Sequence, residues 1–244
     1  MGGAVIDWLR RADRAPAVGV GGRELPIIIR RHPRATRLTM RVAPDGSELR
    51  VTMPRWGRTA DALAFAHSRL AWIEAQLAAV PRPRPPAAGG ILAYRGNMLR
   101  IAWQEGLPRR PSLGEGELRL GGPQATLPQR LQRWLEASAL ELMAGDLAFY
   151  CARAGVARPD LRLSRAQRRW GSCSGTGCIR INWRLVQAPD AVRRSVVAHE
   201  VAHLTHFDHS PAFHAQLARI YDGDLAAADL WLKREGRGLY AAFG

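Results

Sequence analysis

The chain has 244 residues, of which 47% are hydrophobic and 23% are charged, as expected of a soluble globular protein with one large or two small cores. No apolar run approaches the roughly 20 residues of a membrane-spanning helix, and charged residues interrupt the first 16 positions, which argues against a secretory signal. The three cysteines argue against a disulfide-stapled secreted domain. We therefore expect a soluble, cytoplasmic enzyme.

The formal charge of +15 at pH 7 predicts anionic partners such as nucleic acid, nucleotides or acidic peptides. A GC-rich coding sequence would give the same excess of arginine without any such partner. Both interpretations stay open at the level of composition.

The first third of the chain is predicted to be mainly β. A short apolar run occupies 25–30, and apolar residues then alternate with polar ones on both sides of Asp45-Gly46, a pair typical of a hairpin turn. From Thr59 to Ala79 the apolar residues recur at the helical period, which predicts a single helix.

The middle of the chain begins with a linker at 81–90, where proline and then glycine dominate. A second β region is predicted at 91–120. Residues 127–154 have the period of one long helix, or of two helices that abut at Gly145.

The last third combines short strands with helices. Strands are predicted at 161–164 and 179–186, on either side of a glycine-containing loop, and helices near 210–221 and 224–233. No internal repeat is evident. This mixture predicts an α+β fold.

The most informative motif is His199-Glu200-Val201-Ala202-His203. Four residues turn an α-helix by about 400°, so both imidazoles can reach one metal ion from one face. Glu200 lies beside that face, where its carboxylate can reach a water molecule on the metal rather than the metal itself. An amphipathic helix whose histidines fall four residues apart by chance is the alternative.

A third metal ligand must come from elsewhere, because catalytic zinc usually takes three protein ligands and one water. His209 is the best candidate, since Ser210-Pro211 is typical of a helix start that would turn His209 inward. The alternatives, as ligands or as contacts close to the metal, are His206, Asp208 and Glu235.

Zinc held in this way lowers the pKa of a bound water toward about 7 and polarises a carbonyl or phosphoryl oxygen. Glu200 is predicted to take the proton of this metal-activated water as general base. The ligand set does not choose between a peptide bond and a nucleotide phosphoanhydride. A basic nucleic-acid-associated protein with a structural metal site is a third hypothesis, against which the free Glu200 counts.

Further segments accompany this motif: 169–173 (RWGSC) and 181–185 (INWRL) upstream, and 208–210 (DHS) downstream. In order and spacing they resemble the YgjP-like family of bacterial zinc metallopeptidases, which is related to SprT-like and WLM-type metalloproteases. The resemblance covers residues 24–235. It implies one zinc ion per chain on His199, His203 and His209, with Glu200 catalytic.

The segment at 169–173 is predicted to form a strand edge beside the metal cleft, where an extended peptide could add main-chain hydrogen bonds. Alternate residues of a strand share a face, so Arg180, Asn182 and Arg184 are predicted to point together and to suit a carboxylate or phosphate. A solvated surface is the alternative for this face, and core packing is the alternative for Trp170. The predicted substrate contacts are Arg169, Trp170, Ser172, Arg180, Asn182 and Arg184.

Together these observations predict an N-terminal β-rich module packed on a C-terminal zincin-like catalytic domain that carries the HExxH helix. The predicted boundaries give an N-terminal extension, the module and the hydrolase domain at 1–23, 24–122 and 123–244. We expect a zinc-dependent metalloendopeptidase that acts on peptides or proteins and not at a membrane. Nucleic acid or a nucleotide is a further predicted partner of the arginine-rich surface.

Overall fold

The structure, a computed structural model, describes residues 16–43, 45–80 and 82–243. Its contacts divide the chain into two compact units, Met1–Pro81 and Arg82–Gly244, and each unit has a buried apolar cluster of its own. Most of the predicted N-terminal extension lies outside the described residues. Its last part contains a strand, Ala17–Val20, that the sequence pattern did not predict.

Within its described residues, the first unit is a four-stranded sheet with two helices packed on one face. Its strands are β1 (Ala17–Val20), β2 (Arg23–Arg31), β3 (Thr39–Val42) and β4 (Leu49–Met53), and its helices are α1 (Thr59–His67) and α2 (Leu70–Ala78). The sheet order is β1-β2-β4-β3, with β2 and β4 parallel. Alternate residues of β2 and β4 are buried, which confirms the predicted strand pattern.

The single helix predicted from Thr59 to Ala79 is two helices. Ser68 ends α1, and its hydroxyl donates a hydrogen bond to the carbonyl of Phe65 at 2.9 Å. Arg69 then leaves the helical conformation before α2 begins. A serine that bonds to nearby backbone offers the chain an alternative to the helical ladder, which accounts for the break.

The described part of the second unit holds two further sheets and the remaining helices. Its strands are β5 (Ile91–Tyr94), β6 (Asn97–Trp103), β7 (Ser112–Leu113), β8 (Glu117–Leu120), β9 (Leu161–Ser164), β10 (Gly171–Cys173) and β11 (Ile179–Asn182). Its α-helices are α3 (Leu127–Ala154), α4 (Asp190–Ala202), α5 (Pro211–Ile220) and α6 (Leu225–Glu235). The sheet orders are β5-β6-β8-β7 and β10-β11-β9. This mixture confirms the predicted α+β class.

The long helix α3 is the centre of the second core. It runs through Gly145 without a break, and it buries a stripe of side chains four residues apart. The stripe consists of Leu127, Leu131, Leu135, Ala139, Met143 and Leu147. Helix α4 packs directly against α3, so the segment that carries the HExxH motif is backed by the buried core of this unit.

The second β region belongs to the same unit as α4. Arg95, at the tip of the β5–β6 hairpin, forms an ion pair with Asp190 at 2.5 Å, and its N–H donates to the carbonyl of Val186 at 2.8 Å. Gly96 has a φ of +80°, and a Cβ there would lie 3.0 Å from Pro189 Cα. The boundary predicted between residues 122 and 123 therefore lies inside the second unit.

The strand predicted at 179–186 ends early, at Asn182. The side chain of Asn182 accepts a hydrogen bond from the N–H of Arg184 at 3.1 Å and so starts a short 3₁₀ helix, Trp183–Val186. The prediction that Arg180 and Arg184 share a strand face is therefore wrong. In the described ranges, no helix has the length and hydropathy needed to cross a bilayer.

Candidate metal centre

Three histidine side chains meet at the end of α4. His199 lies in the last turn of this helix, and His203 is the residue that caps its C-terminus. Their Nε2 atoms are 3.2 Å apart. His209, in the following loop, places its Nε2 at 3.2 Å from that of His199. The candidate ligand nitrogens of the three residues all lie within 4.8 Å of one another.

The start of α5 fixes the position of His209. Ser210 caps this helix by accepting a hydrogen bond from the N–H of Phe213 at 3.4 Å, and Pro211 occupies the first turn. A new helix therefore begins immediately after His209. This confirms the predicted helix start and explains why a residue six positions beyond His203 returns to it.

The three rings fit a divalent ion that takes nitrogen ligands. With zinc–nitrogen bonds of about 2.05 Å, tetrahedral ligand nitrogens are about 3.3 Å apart, close to the two 3.2 Å distances that His199 Nε2 makes to His203 and His209. His203 Nδ1 lies 2.9 Å from the carbonyl oxygen of His206. If Nδ1 carries the proton and donates it to that carbonyl, the Nε2 lone pair faces the other histidines. Burial, followed by the neighbouring histidines, lowers the pKa of His199 to about 4, so this ring is neutral and ready to bind metal at pH 7.

Phe213 packs against all three imidazoles, a role that the sequence pattern did not predict. Its buried ring stacks on His203 with centroids 4.5 Å apart. It also contacts His199 at 4.9 Å and His209 at 4.8 Å, in both cases edge to face. The sequence feature that could have indicated this contact is the position of Phe213 in the first turn of α5, four residues after His209.

Glu200 is buried beside this cluster, with 5% of its surface exposed. Burial raises the pKa of its carboxyl to about 7, although the charge of Arg169 and a hydrogen bond from the backbone N–H of Cys173 act in the opposite direction. Its Oε2 has no hydrogen-bond partner among the residues that the structure describes. A carboxyl group of this kind can exchange a proton near neutral pH.

Gly171 makes room for the Glu200 carboxylate. A Cβ at position 171 would lie 2.3 Å from Oε1 of Glu200, closer than any side chain tolerates. Strand β10, which contains Gly171, is at the edge of its sheet and packs against α4. The glycine of the RWGSC segment therefore allows the backbone of β10 to lie directly on the carboxylate.

Comparison with known proteins agrees with this geometry. A model of the YgjP-like family, described as a YgjP-like metallopeptidase domain, matches residues 36–235. The chain belongs to the YgjP-like family. Its matched region is a metallopeptidase domain, which supports a metal-dependent hydrolase and implies a peptide or protein substrate. Neither the curated proteins nor the solved structures that were compared gave a match.

Two of the predicted substrate contacts of this YgjP-like chain lie close to Glu200. Trp170 lines a cavity of about 510 Å³ whose wall also contains His199 and Glu200. Arg169 is near enough for its charge to lower the pKa of Glu200. Ser172 is half-buried in the middle of β10, opposite Arg180 of β11.

The other predicted contacts lie elsewhere. Arg180 lines a second cavity of about 610 Å³ together with Arg158 and Arg162. Asn182 is fully buried and donates a hydrogen bond to the carbonyl of Ala166 at 2.8 Å. Arg184 is 5% exposed and lies over the ring of Tyr240, with its carbon Cζ 4.6 Å from the ring centroid. The structure thus does not bring Asn182 or Arg184 to the metal centre.

The alternative ligands also have clear positions in this YgjP-like chain. His206 contacts His203 through its backbone carbonyl. Asp208 is exposed, and hydrogen bonds, chiefly with the Ser210 side chain, lower the pKa of its carboxyl. Glu235 is exposed at the end of α6. Among the described residues, the histidine group found with metal-binding geometry is His199, His203 and His209.

Proposed function

We propose that the protein is a zinc-dependent metalloendopeptidase in which His199, His203 and His209 hold one zinc ion and Glu200 is the general base. The observation that carries this proposal is the meeting of the three imidazoles with a buried carboxylate whose Oε2 lacks a partner among the described residues. The metallopeptidase family supports it. A buried, unpaired carboxylate oxygen is destabilising unless a reacting group or water satisfies it.

Zinc, when bound, supplies a Lewis acid that polarises the scissile carbonyl and acidifies water. Glu200 accepts a proton from the attacking water, because its unpartnered Oε2 is free to do so. The same proton then passes to the leaving nitrogen. One water is consumed, a C–O bond forms as the C–N bond breaks, and the products are a carboxylic acid and an amine.

The free edge of β10 is a suitable site for the substrate backbone. The backbone N–H of Asn182 donates to the carbonyl of Trp170 at 2.7 Å, and the backbone N–H of Ser174 donates to the carbonyl of Cys178 at 3.0 Å. Trp170 and Ser174 therefore face β11, so Gly171 and Cys173 direct their backbone groups to the other side. The Cys173 N–H on that side donates to Glu200, so a peptide would pair with the backbone groups of Gly171 and with the Cys173 carbonyl. A peptide that pairs there extends past both ends of the strand, which favours cleavage of internal bonds and hence an endopeptidase.

Hydrolysis of nucleotide phosphoanhydrides at the same metal is the second candidate, and one observation favours it. Arg162 and Arg180 are register partners in β9 and β11, and like charges in opposed positions are destabilising without an anion. Arg158 lines the same cavity. The residues of this cavity are separate from those beside Glu200, which makes the peptidase the better candidate. A purely structural zinc would fill all four positions with protein ligands, whereas the group found within the described residues has three.

Hydrolysis assays with purified protein test the proposal. Zinc-loaded protein is incubated with a panel of peptides and a panel of nucleoside triphosphates, before and after removal of metal with a chelator. We expect peptide cleavage that is lost on chelation and restored by zinc, and one zinc ion per chain by elemental analysis. His209→Ala should lower zinc affinity, whereas His67→Ala, a histidine of α1, should not. Release of phosphate without peptide cleavage would instead support the second candidate.

A further inference from the structure

The chemistry proposed above does not account for the cavity beside Glu200. Proton transfer needs the carboxylate and the metal ligands, but the cavity of about 510 Å³ continues away from them between α4, α5 and α6. Its volume lies within the range of small-molecule binding pockets. The origin and chemistry of its walls indicate which group it accepts.

One wall of the cavity comes from helix α6. Leu225, Asp229 and Leu232 are four and three residues apart, so they share one face of this helix. Leu225 and Leu232 are half-buried and turn apolar surface toward the cavity. Apolar groups at these positions are expected to exclude water from whatever binds there.

Helices α4 and α5 supply the opposite wall. Val196 is one turn before His199 on α4, so the cavity continues directly from the metal ligand along the same face. Leu217 of α5 lies against it and is 6% exposed. Ser195, a polar residue of this wall, donates its hydroxyl to the carbonyl of Val192 at 2.8 Å and is thereby satisfied.

The wall formed by Trp170 is fixed in place. A Cβ at position 236 would lie 2.9 Å from Cζ2 of Trp170, so the indole packs directly on the backbone of Gly236. The ring of Tyr240 lies at a centroid distance of 5.8 Å on a tilted plane. The cavity is therefore present before a substrate binds, which reduces the entropy lost on binding.

Charged and ionisable groups other than those of the metal centre lie at the rim of the cavity. The Asp229 side chain is 62% exposed and forms an ion pair with Lys233 at 2.5 Å. His214 is also exposed. A group that enters beyond this rim meets leucine, valine and indole surface, which favours an apolar side chain over a charged one.

The position of Glu200 in the wall indicates which side chain enters. In the proposed reaction Glu200 delivers a proton to the leaving nitrogen, and that nitrogen belongs to the residue that follows the scissile bond. The cavity opens at the same carboxylate. The side chain of that residue is thus the one nearest to the opening.

We propose that this cavity, which we name the apolar pocket, binds a large apolar side chain of the residue following the scissile bond and so selects the substrate. This inference rests on the proposed function and adds to it the class of peptide that is cleaved. Leu225 and Leu232 are specificity-determining residues in this view, since they line the apolar pocket and belong to helix α6, which carries none of the three histidines.

A set of otherwise identical peptides tests the apolar pocket. The residue after the cleavage site is varied among leucine, methionine, phenylalanine, alanine, aspartate and lysine, and kcat/KM is measured with zinc-loaded protein. Burial of a full apolar side chain corresponds to about 10- to 100-fold in kcat/KM. We expect leucine, methionine and phenylalanine to exceed alanine by this factor, and aspartate and lysine to be poorest.

Two tryptophan substitutions on α6 make a matched pair. Leu232→Trp fills the apolar pocket and should remove most of the preference for large residues while cleavage of the alanine peptide persists. Leu230→Trp is the control, because Leu230 is 55% exposed on the same helix and does not line the pocket. If Leu232→Trp fails to fold, as judged by circular dichroism, Leu225→Trp replaces it.

Binding gives a readout that does not depend on turnover. Titration of the Glu200→Gln variant with the leucine and aspartate peptides should change tryptophan emission for the leucine peptide, and the change should disappear when Trp170→Phe is added.

Equal kcat/KM for alanine and leucine peptides would overturn the inference while leaving the peptidase intact. So would a preference for lysine that Asp229→Asn abolishes. If no peptide is cleaved at all, the proposed function fails. The titration then shows by itself whether the apolar pocket binds the leucine peptide in preference to the aspartate peptide.

Discussion

The two ends of helix α4 bury charged side chains in opposite ways. Near the N-terminus, Arg193 is 2% exposed and is paired with Asp146 at 2.7 Å and with Asp190, which also binds Arg95. Near the C-terminus, Glu200 is 5% exposed, and its Oε2 lacks a partner within the described ranges. A buried charge whose hydrogen bonds and ion pairs are all made stabilises one fold. A buried charge with an unpaired atom is typical of a functional site. The difference predicts which substitutions change stability and which change activity.

The largest effect is expected from Glu200→Gln. The amide cannot accept a proton from water, so kcat should fall by about 10²- to 10⁴-fold, while zinc content stays at one ion per chain. The melting temperature should be unchanged or higher, because a neutral amide is less costly to bury than a carboxylate. Peptide hydrolysis, elemental analysis and calorimetry check these three points. Glu235→Gln, on an exposed site, is the control, and hydrolysis by Glu200→Gln at the parent rate would contradict the assignment.

At the other end of the helix, Arg193→Met should lower the free energy of unfolding by about 3 kcal/mol, the lower end for a broken buried ion pair. Asp146 and Asp190 lose their buried partner but keep the more exposed Arg194 and Arg95, respectively. Urea denaturation measures this loss. Arg119→Met removes an exposed partner of Glu117 and should change stability by less than about 1 kcal/mol. A loss of less than about 1 kcal/mol in Arg193→Met as well would show that the ion pairs at the N-terminus of α4 do not stabilise the fold.

Gly171→Ala should affect activity more than stability. The added Cβ, 2.3 Å from Oε1, must displace the Glu200 carboxylate, and a displacement of about 1 Å can reduce turnover about 10²-fold. Zinc stoichiometry should not change. Gly175→Ala is the matched control, since a Cβ there meets nothing within 4 Å. Full activity in Gly171→Ala would mean that the position of the carboxylate is not critical.

The smallest effect concerns pH. Burial raises the pKa of Asp190, but hydrogen bonds and charge from Arg95 and Arg193 outweigh it, so the net pKa is lowered in the folded state. The contribution of Asp190 to the free energy of unfolding is then fully present above pH 3.9, its approximate pKa in the unfolded chain. It is lost as the pH falls through the lower pKa of the folded state. Asp190→Asn should be about 1 kcal/mol less stable near pH 7. Urea denaturation from pH 7 to 3 should show that the difference from the parent shrinks toward the acid end, and a constant difference would contradict the linkage.

Local spacing predicted the parts of the site that lie close together in the sequence. The i, i+4 histidines and the Ser210-Pro211 helix start depend on residues only a few positions apart, so their geometry follows from helix period and capping. For the same reason, the strands with alternating polarity in the first unit were predicted correctly. The long helix α3 was predicted over its whole length, although its continuity through Gly145 was not.

Contacts between distant residues were not predictable from pattern. The fit of Glu200 on Gly171 and the bond between Arg95 and Asp190 join positions that are 29 and 95 residues apart in the sequence. The end of β11 at Asn182 depends on a side chain that caps a 3₁₀ helix in place of continuing the strand. Such contacts decide which β region belongs to the catalytic unit and which arginine lines a cavity.

The contact of the Phe213 ring with all three imidazoles bears on how a metal ion would be acquired. Because aromatic packing orients the three imidazoles, we expect the fold to persist without the ion, unlike that of small zinc-dependent domains. Chelation should therefore yield an inactive but folded protein that recovers when the ion returns. In a cell, the supply of metal, rather than the folding of new chains, would then set how much of the enzyme is switched on.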